Sequence, residues 1–366
     1  MKYENSVLSK TDDFPIRHIG NVHSGKVRSV YWLNENDSRN VYKKIYGLDG
    51  YAPLGVMIIS DRISAFDVNW KGEEGLNGVP GKGAALNAIS QYWFHELELA
   101  GIGENHLLEV PHPLVWIVQK AEPIMVEAIA RQYITGSMLR DYNKGVREFC
   151  GISLSDGLKA NQKLSDLLIT PSTKGVMKGI PGIPEKDDVN ITRKQIEQNY
   201  KAFGFKNLDD IFTYEQMLTE GFDHISRVLE VEGQIFVDTK FEFGYVNDKM
   251  IFIDEIGTPD SSRMWDAKKY AEGKVVENSK EGFRQFLIET HKAKHGDDLF
   301  TNKDRHSEVV ELAKNYRVPV EEMMKVSEIY KDMSCKIRST MLTPQIVDAR
   351  QEIIEALSDY DIILKN

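Results

Sequence analysis

The chain has 366 residues, of which 41% are hydrophobic and 28% are charged, a composition typical of globular proteins. This length predicts more than one packed unit. The formal net charge of −10 argues against nonspecific binding to nucleic acid. No apolar run reaches membrane-spanning length, and the polar first ten residues lack the apolar core of an export signal. The only two cysteines, Cys150 and Cys335, are too few for a disulfide framework and favour the reducing cytoplasm as the location. Small molecules are therefore the expected partners, and neither a membrane nor nucleic acid is expected.

The first third of the chain predicts mainly strands. Runs of strand-like spacing occur at residues 26–33, 53–59 and 115–118. Residues 82–98 predict a helix instead, because their apolar side chains recur on one helical face and a glycine follows as a stop signal. A further strand is expected within residues 123–135.

The rest of the chain predicts a loop, a hairpin and then helices. Residues 151–190 are rich in Gly, Pro, Ser and Lys and lack a clear period, which indicates a functional loop or a mobile flap. Residues 235–255 give the clearest strand pair. Helices are predicted at 195–203, 213–218, 224–232, 280–294, 307–316, 320–333 and 345–364. Strands first and helices later indicate an α+β architecture with a helical C-terminal part.

The hairpin carries a possible metal site. Its alternation places Asp238, Lys240 and Glu242 on one face. A two-residue turn would pair Lys240 with Glu255 and leave Asp254 on the face opposite Glu242, whereas a three-residue loop would put Glu242 across from Asp254. Paired carboxylates need a cation between them, and magnesium carrying nucleotide phosphates would fit. The alternative is a solvated polar face on which Lys240 offsets its acidic neighbours.

Two other segments could bind an anion. Ser137 predicts an N-cap for a short helix, and a helix N-terminus close to Arg131 favours phosphate. The second segment is the predicted turn that contains Asp260, Ser262 and Arg263, which would present hydroxyl groups and one guanidinium. A guanidinium can bond two phosphate oxygens at once. The alternative for this second segment is an ordinary turn with a solvated arginine.

The N-terminal region holds a glycine–lysine pair and a polar cluster. Gly25 and Lys26 do not form a Walker A loop, although such a pair on a β-turn can cover nucleotide phosphates. Lys82 begins a predicted helix, where a cation opposes the helix dipole and a bound anion would explain it; a surface lysine is the plainer reading. The cluster that follows a buried strand consists of Asp61, Arg62, Ser64 and Asp67.

Taken in order, these segments resemble the SAICAR synthetase family. They are GKVRSVY (25–31), SDRISAFD (60–67), KGAALN (82–87), RQYITGS (131–137), TPSTK (170–174), DTKFEFG (238–244) and DEIGTPDSSRMW (254–265). The resemblance implies an N-terminal antiparallel-sheet ATP-binding domain over residues 1–120 and an ATP-grasp-related α+β catalytic domain over 121–275. Residues 276–366 are then expected to form a helical extension packed on the catalytic domain, which could serve assembly into a homo-oligomer.

The resemblance also implies an activity and roles for the singled-out residues. Members join L-aspartate to carboxyaminoimidazole ribonucleotide (CAIR) with ATP and Mg²⁺, giving SAICAR, ADP and phosphate through an acyl phosphate. The implied ATP-binding residues are Gly25, Lys26, Val27, Arg28 and Lys240, and the metal ligands are Glu242 and Asp254. The implied substrate-binding residues are Arg131, Ser137, Arg263, Asp260, Ser262, Arg62, Ser64 and Asp67. The implied catalytic residues are Lys240, Asp61 and Lys82.

Two alternatives to this activity stay open on the sequence. A small-molecule kinase would use the same lysine and carboxylates without needing aspartate. A nucleotide-binding regulatory protein would have lost turnover, although the retention of Lys26, Lys240, Glu242 and Asp254 argues against that loss. Residues 184–191 depart from the family pattern, so no role is carried over to that part of the predicted flap.

Overall fold

The computed structural model of the chain describes residues 7–338 and 346–364. The strands are β1 (His23–Ser24), β2 (Arg28–Trp32), β3 (Leu54–Ile59), β4 (Ile63–Ala65), β5 (Val68–Trp70), β6 (Leu107–His112), β7 (Val115–Gln119), β8 (Glu122–Pro123), β9 (Val126–Tyr133), β10 (Glu148–Phe149), β11 (Ile152–Ser153), β12 (Lys163–Ile169), β13 (Ser172–Thr173), β14 (Gln234–Val246), β15 (Lys249–Ile253) and β16 (Ser262–Asp266). The helices are α1 (Glu35–Tyr46), α2 (Lys82–Leu99), α3 (Gly136–Asn143), α4 (Arg193–Gln198), α5 (Asp209–Val231), α6 (Ala267–Ala271), α7 (Lys280–His295), α8 (His306–Asn315), α9 (Val320–Arg338) and α10 (Ala349–Ser358).

The described residues divide into two compact units, each discontinuous in sequence. The first comprises residues 7–91, 107–120, 278–338 and 346–364, and the second comprises residues 92–106 and 121–277. The mixture of helices with antiparallel sheets confirms the predicted α+β class. No helix within the described ranges is long and apolar enough to cross a lipid bilayer.

The first unit is built on an antiparallel sheet with the strand order β1-β2-β3-β7-β6. The central strand β3 is buried along its whole length, as its uninterrupted apolar sequence predicts. A smaller hairpin pairs β4 with β5. Its turn residues Phe66 and Asp67 have φ angles of 56° and 62°, the left-handed values that a tight two-residue hairpin turn requires.

The C-terminal helices belong to this first unit, and this corrects the expectation that they pack on the catalytic domain. Leu287 of α7, Tyr330 of α9 and Ile353 of α10 share one hydrophobic core with Val56 of β3 and Ile117 of β7. The helices therefore bury their apolar faces against the N-terminal sheet rather than forming a third segment on the other unit. Residues 92–106, expected in the N-terminal domain, lie in the second unit, where Trp93 Nε1 donates a hydrogen bond to the Gly257 carbonyl at 3.1 Å.

The second unit is organised around the long strand β14. The sheet order is β12-β9-β14-β15, and β14 also pairs with β8 and β16. Helix α5 packs on one face of the sheet, to which Phe241 and Phe243 of β14 contribute their side chains. Gly221 of α5 leaves room for the Phe241 ring, because a Cβ added at Gly221 would lie 3.1 Å from that ring. A register shift between Phe236 and Asp238 turns Phe236 to the same covered face, where it packs on Phe222.

The face of this sheet opposite α5 carries the polar side chains. On β14, alternation places Asp238, Lys240 and Glu242 on the face opposite Phe241. Asp238 pairs with Arg131 of β9, and Lys240 pairs with Ile129. Because side chains paired across a ladder share a face, the fold gathers these charged groups on one side of β9 and β14.

Several element predictions need correction. Residues 213–218 and 224–232 belong to one continuous helix, α5, whose apolar stripe continues across the interval. The helix predicted at 195–203 is the short α4, and part of the predicted loop 151–190 forms β11, β12 and β13. The last predicted helix, 345–364, begins at a residue outside the described ranges; within them, helix α10 covers only residues 349–358, so the prediction extends too far at its end.

The hairpin turn settles the register left open by the sequence. Val246 pairs with Lys249, so the turn has two residues, Asn247 and Asp248, with φ angles of 47° and 66°. The three-residue alternative is therefore wrong. Glu242 pairs with Ile253, and the strand ends there because Asp254 takes a left-handed φ of 62°.

Candidate active site

In the second unit, two arginines share one buried aspartate. Asp238 Oδ2 accepts hydrogen bonds from Arg131 Nη1 at 3.2 Å and from Arg263 Nη1 at 2.5 Å, and Oδ1 accepts from the Arg263 backbone N–H at 3.2 Å. Arg131 and Asp238 are only 7% and 5% exposed. Burial lowers the pKa of Arg131; Asp238 opposes this effect and Arg263 adds to it. Two guanidiniums against one carboxylate leave a surplus positive charge, which suits an anion.

The start of helix α3 lies beside these arginines. Gly136 has a φ of 57°, a left-handed value that favours glycine, and a Cβ added there would lie 2.5 Å from Arg263 Nη2 and push the guanidinium away. The helix begins at Gly136 after an extended Thr135, which makes no side-chain cap. Ser137 is therefore within the first turn and is not the N-cap, which corrects that prediction. The α3 N-terminus nevertheless adds backbone N–H groups near Arg263.

A second charged cluster surrounds Lys240 on the same face. Lys240 Nζ lies 2.6 Å from Glu127 Oε1 and 3.5 Å from Glu242 Oε1. Lys174 Nζ contacts the other Glu242 oxygen. Burial by itself would lower the pKa of Lys240, but the carboxylates of Glu242, Glu127 and Asp254 outweigh it and raise that pKa. Lys240 is therefore a permanently charged ammonium held by carboxylates.

The predicted metal ligands lie at this cluster. Glu242 is 6% exposed, and both of its oxygens face ammonium groups, so the position already attracts positive charge. Asp254 is close enough to Lys240 to act on its pKa. Within the described ranges, no group of three His, Cys, Asp or Glu residues could hold a metal ion. Two carboxylates still fit Mg²⁺, which commonly takes one or two protein ligands together with phosphate oxygens and water.

Two other predicted residues of this unit make internal contacts. Ser262 is 4% exposed, and its Oγ lies 2.7 Å from Thr239 Oγ1, on the opposite face of the sheet from Asp238. The structure therefore does not bring the Ser262 hydroxyl to the arginine pair. Asp260 lies in the turn before β16, where its backbone N–H donates to Thr258 Oγ1 at 3.2 Å.

In the first unit, the tips of two hairpins meet. The turn that connects β1 with β2 contains Gly25, Lys26 and Val27, and the Gly25 N–H donates to the Arg28 carbonyl at 2.7 Å. The Lys26 ammonium forms an ion pair with Asp67, at the tip of the β4–β5 hairpin. Both side chains are more than half exposed. Burial alone would raise the pKa of Asp67, but Lys26 and the charges of His306 and Lys303 lower it overall.

Arg62 fixes the β1–β2 turn relative to the segment after β3. Its Nε donates to Ser60 Oγ at 3.0 Å, and its Nη2 donates to the Gly25 carbonyl at 3.2 Å. Burial lowers the pKa of Arg62. Ser64 of β4 is buried, and Arg28 lies with its guanidinium 5.8 Å from the Trp116 ring. Lys26, Arg62 and Asp67 are thus brought together, whereas Arg28 packs into the unit.

Asp61 and Lys82 are buried, and their contacts are internal. Asp61 accepts hydrogen bonds from the Leu8 and Gly83 backbone N–H groups, both at 2.9 Å. Burial raises the pKa of Asp61, while these hydrogen bonds and the charges of Lys82 and Lys331 oppose that effect. Lys82 has no exposed surface, and its ammonium lies 5.5 Å from the centroid of the Tyr330 ring. Asp61 thus connects the segment after β3 with the start of α2, and both Asp61 and Lys82 are shielded from solvent.

The sequence assigned no role to Glu127 or to Lys174, although Lys174 ends the TPSTK segment. Glu127 is four residues before Arg131 on β9, an even spacing that places both side chains on one sheet face. That spacing was a usable signal. Lys174 closes the TPSTK segment, but its approach to Glu242 depends on the chain path after β13, which no local pattern reveals.

The chain is similar to proteins of one known family. A family model described as SAICAR synthetase matches residues 21–299. The phosphoribosylaminoimidazole-succinocarboxamide synthase of Vibrio vulnificus is 55% identical over 99% of this chain and 100% of its own length. The enzyme of the same name from Aliivibrio fischeri is 54% identical with the same coverage.

Solved structures agree with the fold. SAICAR synthase from Saccharomyces cerevisiae, complexed with SAICAR, matches with a TM-score of 0.66 and 24% identity, covering 92% of this chain and 100% of that one. A SAICAR synthetase in complex with ADP matches with a TM-score of 0.56 and 20% identity, covering 88% and 100%. At these identities the likeness shows the fold. The family match and the full-length relatives show more: the chain belongs to the SAICAR synthetase family, the ligases of purine biosynthesis.

Proposed function

We propose that the chain joins L-aspartate to the carboxylate of CAIR with consumption of ATP, giving SAICAR, ADP and phosphate. The names of its full-length relatives support this product, and solved relatives are described as complexes with SAICAR and with ADP. The few cysteines and the place of the reaction in purine biosynthesis support action in the cytoplasm on small molecules.

The arginine pair is the observation that carries the proposal. Arg131 and Arg263 share the single carboxylate of Asp238, and Arg263 lies against Gly136 at the start of α3. Their surplus charge and the N–H groups of the first helical turn suit a phosphate monoester. We assign the ribotide 5′-phosphate to Arg131, Arg263 and the α3 N-terminus, which includes Ser137.

The Lys240 cluster is assigned to the reacting phosphates. Lys240 keeps its charge because Glu127 and Glu242 raise its pKa, so it can stabilise negative charge on a phosphoryl group. Glu242 and Asp254 would hold Mg²⁺, which supplies further charge neutralisation when bound. In the first unit, Lys26 and the Gly25–Arg28 turn are assigned to ATP phosphates, and Arg62, Ser64 and Asp67 to the imidazole and aspartate groups.

The chemistry requires no nucleophilic side chain. A carboxylate oxygen of CAIR attacks the γ-phosphorus of ATP; the bond from that phosphorus to the ADP oxygen breaks, and an acyl phosphate forms. The amine of aspartate then attacks the acyl carbon and loses a proton, while phosphate leaves with the electrons of the broken C–O bond. Both steps depend on position and on neutralised charge, which the lysines and arginines above supply.

The phosphate assignment is tested with Arg263→Ala, which removes one guanidinium. Loss of charge-assisted hydrogen bonds should lower kcat/KM for CAIR by about 10- to 100-fold. The same variant should leave the slow reaction of the dephosphorylated nucleoside unchanged, because that substrate lacks the phosphate. Arg193→Ala, which removes an arginine paired with Glu197 and Glu215 in the same unit, is the matched control. Equal losses for both substrates would refute the assignment.

The metal assignment is tested with Glu242→Gln, which keeps the side-chain shape and removes its charge. Turnover should fall to background while the circular dichroism spectrum stays unchanged. Glu122→Gln is the control, because Glu122 is an exposed carboxylate on β8, which pairs with the same strand. Retained activity in Glu242→Gln would remove Glu242 from the proposed metal site.

A further inference from the structure

Helix α9 contacts residues 80–82, the turn that leads into α2. Ser327 Oγ donates a hydrogen bond to the Pro80 carbonyl at 2.6 Å. The Tyr330 ring centroid lies 5.5 Å from the Lys82 ammonium. Ser327 and Tyr330 are 1% and 0% exposed, so these contacts are enclosed within the first unit. Helix α9 lies beyond residue 299, where the match to the family model ends.

A buried ammonium needs compensation, and α9 provides part of it. The side chain of Lys82 is wholly enclosed, and an ammonium in such a place is costly unless charge or an aromatic face compensates it. The carboxylate of Asp61 supplies the charge, and Tyr330 supplies the ring. The position of Lys82 therefore depends on a residue of the C-terminal helix.

The residues 78–83 are in turn tied to the segment that carries Arg62, Ser64 and Asp67. Asp61 begins that segment: its carboxylate accepts the Gly83 N–H at 2.9 Å, and its carbonyl accepts the Val79 N–H at 2.7 Å. The backbones approach so closely that a Cβ at Gly78 would lie 2.5 Å from the Asp61 carbonyl oxygen. A shift of residues 78–83 would therefore move the start of the substrate-binding segment.

We infer that Ser327 and Tyr330 are positioning residues for the reaction: through Pro80, Lys82 and Asp61, they hold the segment of Arg62, Ser64 and Asp67 in place. This inference rests on the proposed function, because those three residues are assigned to substrate there. It gives the C-terminal helical region a role in substrate binding within a single chain. It also explains the burial of Lys82 and Asp61, which act on substrate through the segments that they join.

The first test compares Ser327→Ala with Ser334→Ala. Ser334 is also buried on α9 and lies two turns further along on the same helical face, so it is a matched control. Loss of the bond to Pro80 should raise KM for CAIR or L-aspartate by about fivefold to tenfold and leave kcat within about twofold. Ser334→Ala should change neither parameter.

The second test compares Tyr330→Phe with Tyr330→Leu. Phenylalanine keeps the aromatic face towards Lys82, and leucine removes it, so only Tyr330→Leu should raise KM, again by about tenfold. Phe283→Leu is the control for a lost ring in the same hydrophobic core, and it should lower stability without raising KM. A KM that rises equally in Tyr330→Leu and Phe283→Leu would overturn the inference, because general loosening of the core would explain it.

Amide hydrogen exchange gives a readout that does not depend on the reaction. The Val79 and Gly83 amides should exchange about tenfold faster in Ser327→Ala and in Tyr330→Leu than in Ser334→Ala. Unchanged exchange, or faster exchange with unchanged KM values, would overturn the inference. If the wild-type chain formed no SAICAR, the proposed function would fail, and exchange at these two amides would still decide whether α9 holds the segment.

Discussion

Replacing Asp238 by asparagine should strongly destabilise the second unit. Asp238 is the shared acceptor of Arg131 and Arg263, and it also accepts the Arg263 backbone N–H. Asparagine keeps the shape and one oxygen acceptor, but it removes the negative charge and turns an amide NH₂ group towards guanidinium donors. Arg131, which is 7% exposed, would then lose the carboxylate of its ion pair.

The magnitude follows from this burial. Removing one partner of a buried ion pair costs about 3–5 kcal/mol. The side chain of Arg263 keeps 15% exposure, and asparagine keeps an acceptor, so we expect the lower end, about 3 kcal/mol. For a unit of roughly 150–250 residues, this loss corresponds to a decrease in Tm of about 6–12 °C.

Thermal unfolding followed by calorimetry or circular dichroism measures this change. The control is Asp248→Asn, which removes an exposed carboxylate paired with Lys206 in the β14–β15 turn. Asn is well tolerated at the left-handed φ of 66° found there, so the control should unfold with the wild type. An Asp238→Asn variant that unfolds within about 1 °C of Asp248→Asn would refute the account of the arginine pair.

Three further changes have expected outcomes. Lys240→Met should lower kcat by about 10²- to 10³-fold without altering the circular dichroism spectrum, and a decrease below tenfold would count against its role. Gly78→Ala should lower the free energy of unfolding in urea by about 1–3 kcal/mol, because its Cβ would meet the Asp61 carbonyl; an unchanged midpoint would contradict that contact. Burial and the charges of His295 and Lys294 lower the pKa of His291 in the folded protein from 6.5. Near and below pH 6.5 the unfolded state therefore binds more protons than the folded state, so the free energy of unfolding falls as the pH drops through this range. His291→Phe should flatten this dependence in pH-resolved melts, and an unaltered slope would show that His291 does not cause it.

Local pattern was sufficient to predict the elements that repeat with a clear period. The α2 helix and the β14–β15 hairpin were predicted within one or two residues because their apolar residues recur with periods of 3.6 and 2. Helix α5 is predicted from the sequence only as two pieces, residues 213–218 and 224–232, and the structure joins them through Gly221. That glycine is required by the Phe241 ring beneath it, a contact between elements that the local sequence does not display.

Long-range pairing decided what the sequence left open. Alternation placed Asp238, Lys240 and Glu242 on one face, but the two-residue turn and the left-handed Asp254 emerged only from the folded hairpin. The C-terminal helices were recognised from their amphipathic patterns. Their packing partner was predicted wrongly: they pack on the N-terminal sheet and not on the catalytic domain, because an apolar stripe on a helix does not indicate which surface it packs against.

The candidate site shows the same division. Arg131 and Arg263 could be singled out as anion-binding residues from their neighbours in sequence. Their sharing of Asp238 depends on the register of β9 and β16 against β14. Arg131 is 107 positions from Asp238, and Arg263 is 25 positions from it. The burial of Lys82 beneath Tyr330 likewise depends on a helix from the other end of the chain.

The central claim is tested most directly by measuring ADP release from ATP and Mg²⁺ with CAIR and L-aspartate omitted in turn. The account predicts that ADP forms at a substantial rate only when both are present and that SAICAR accumulates in equal amount. ADP formed without aspartate, together with a phosphorylated product that persists, would contradict the ligase and support a kinase. No ADP under any combination, from protein shown to be folded, would contradict turnover altogether.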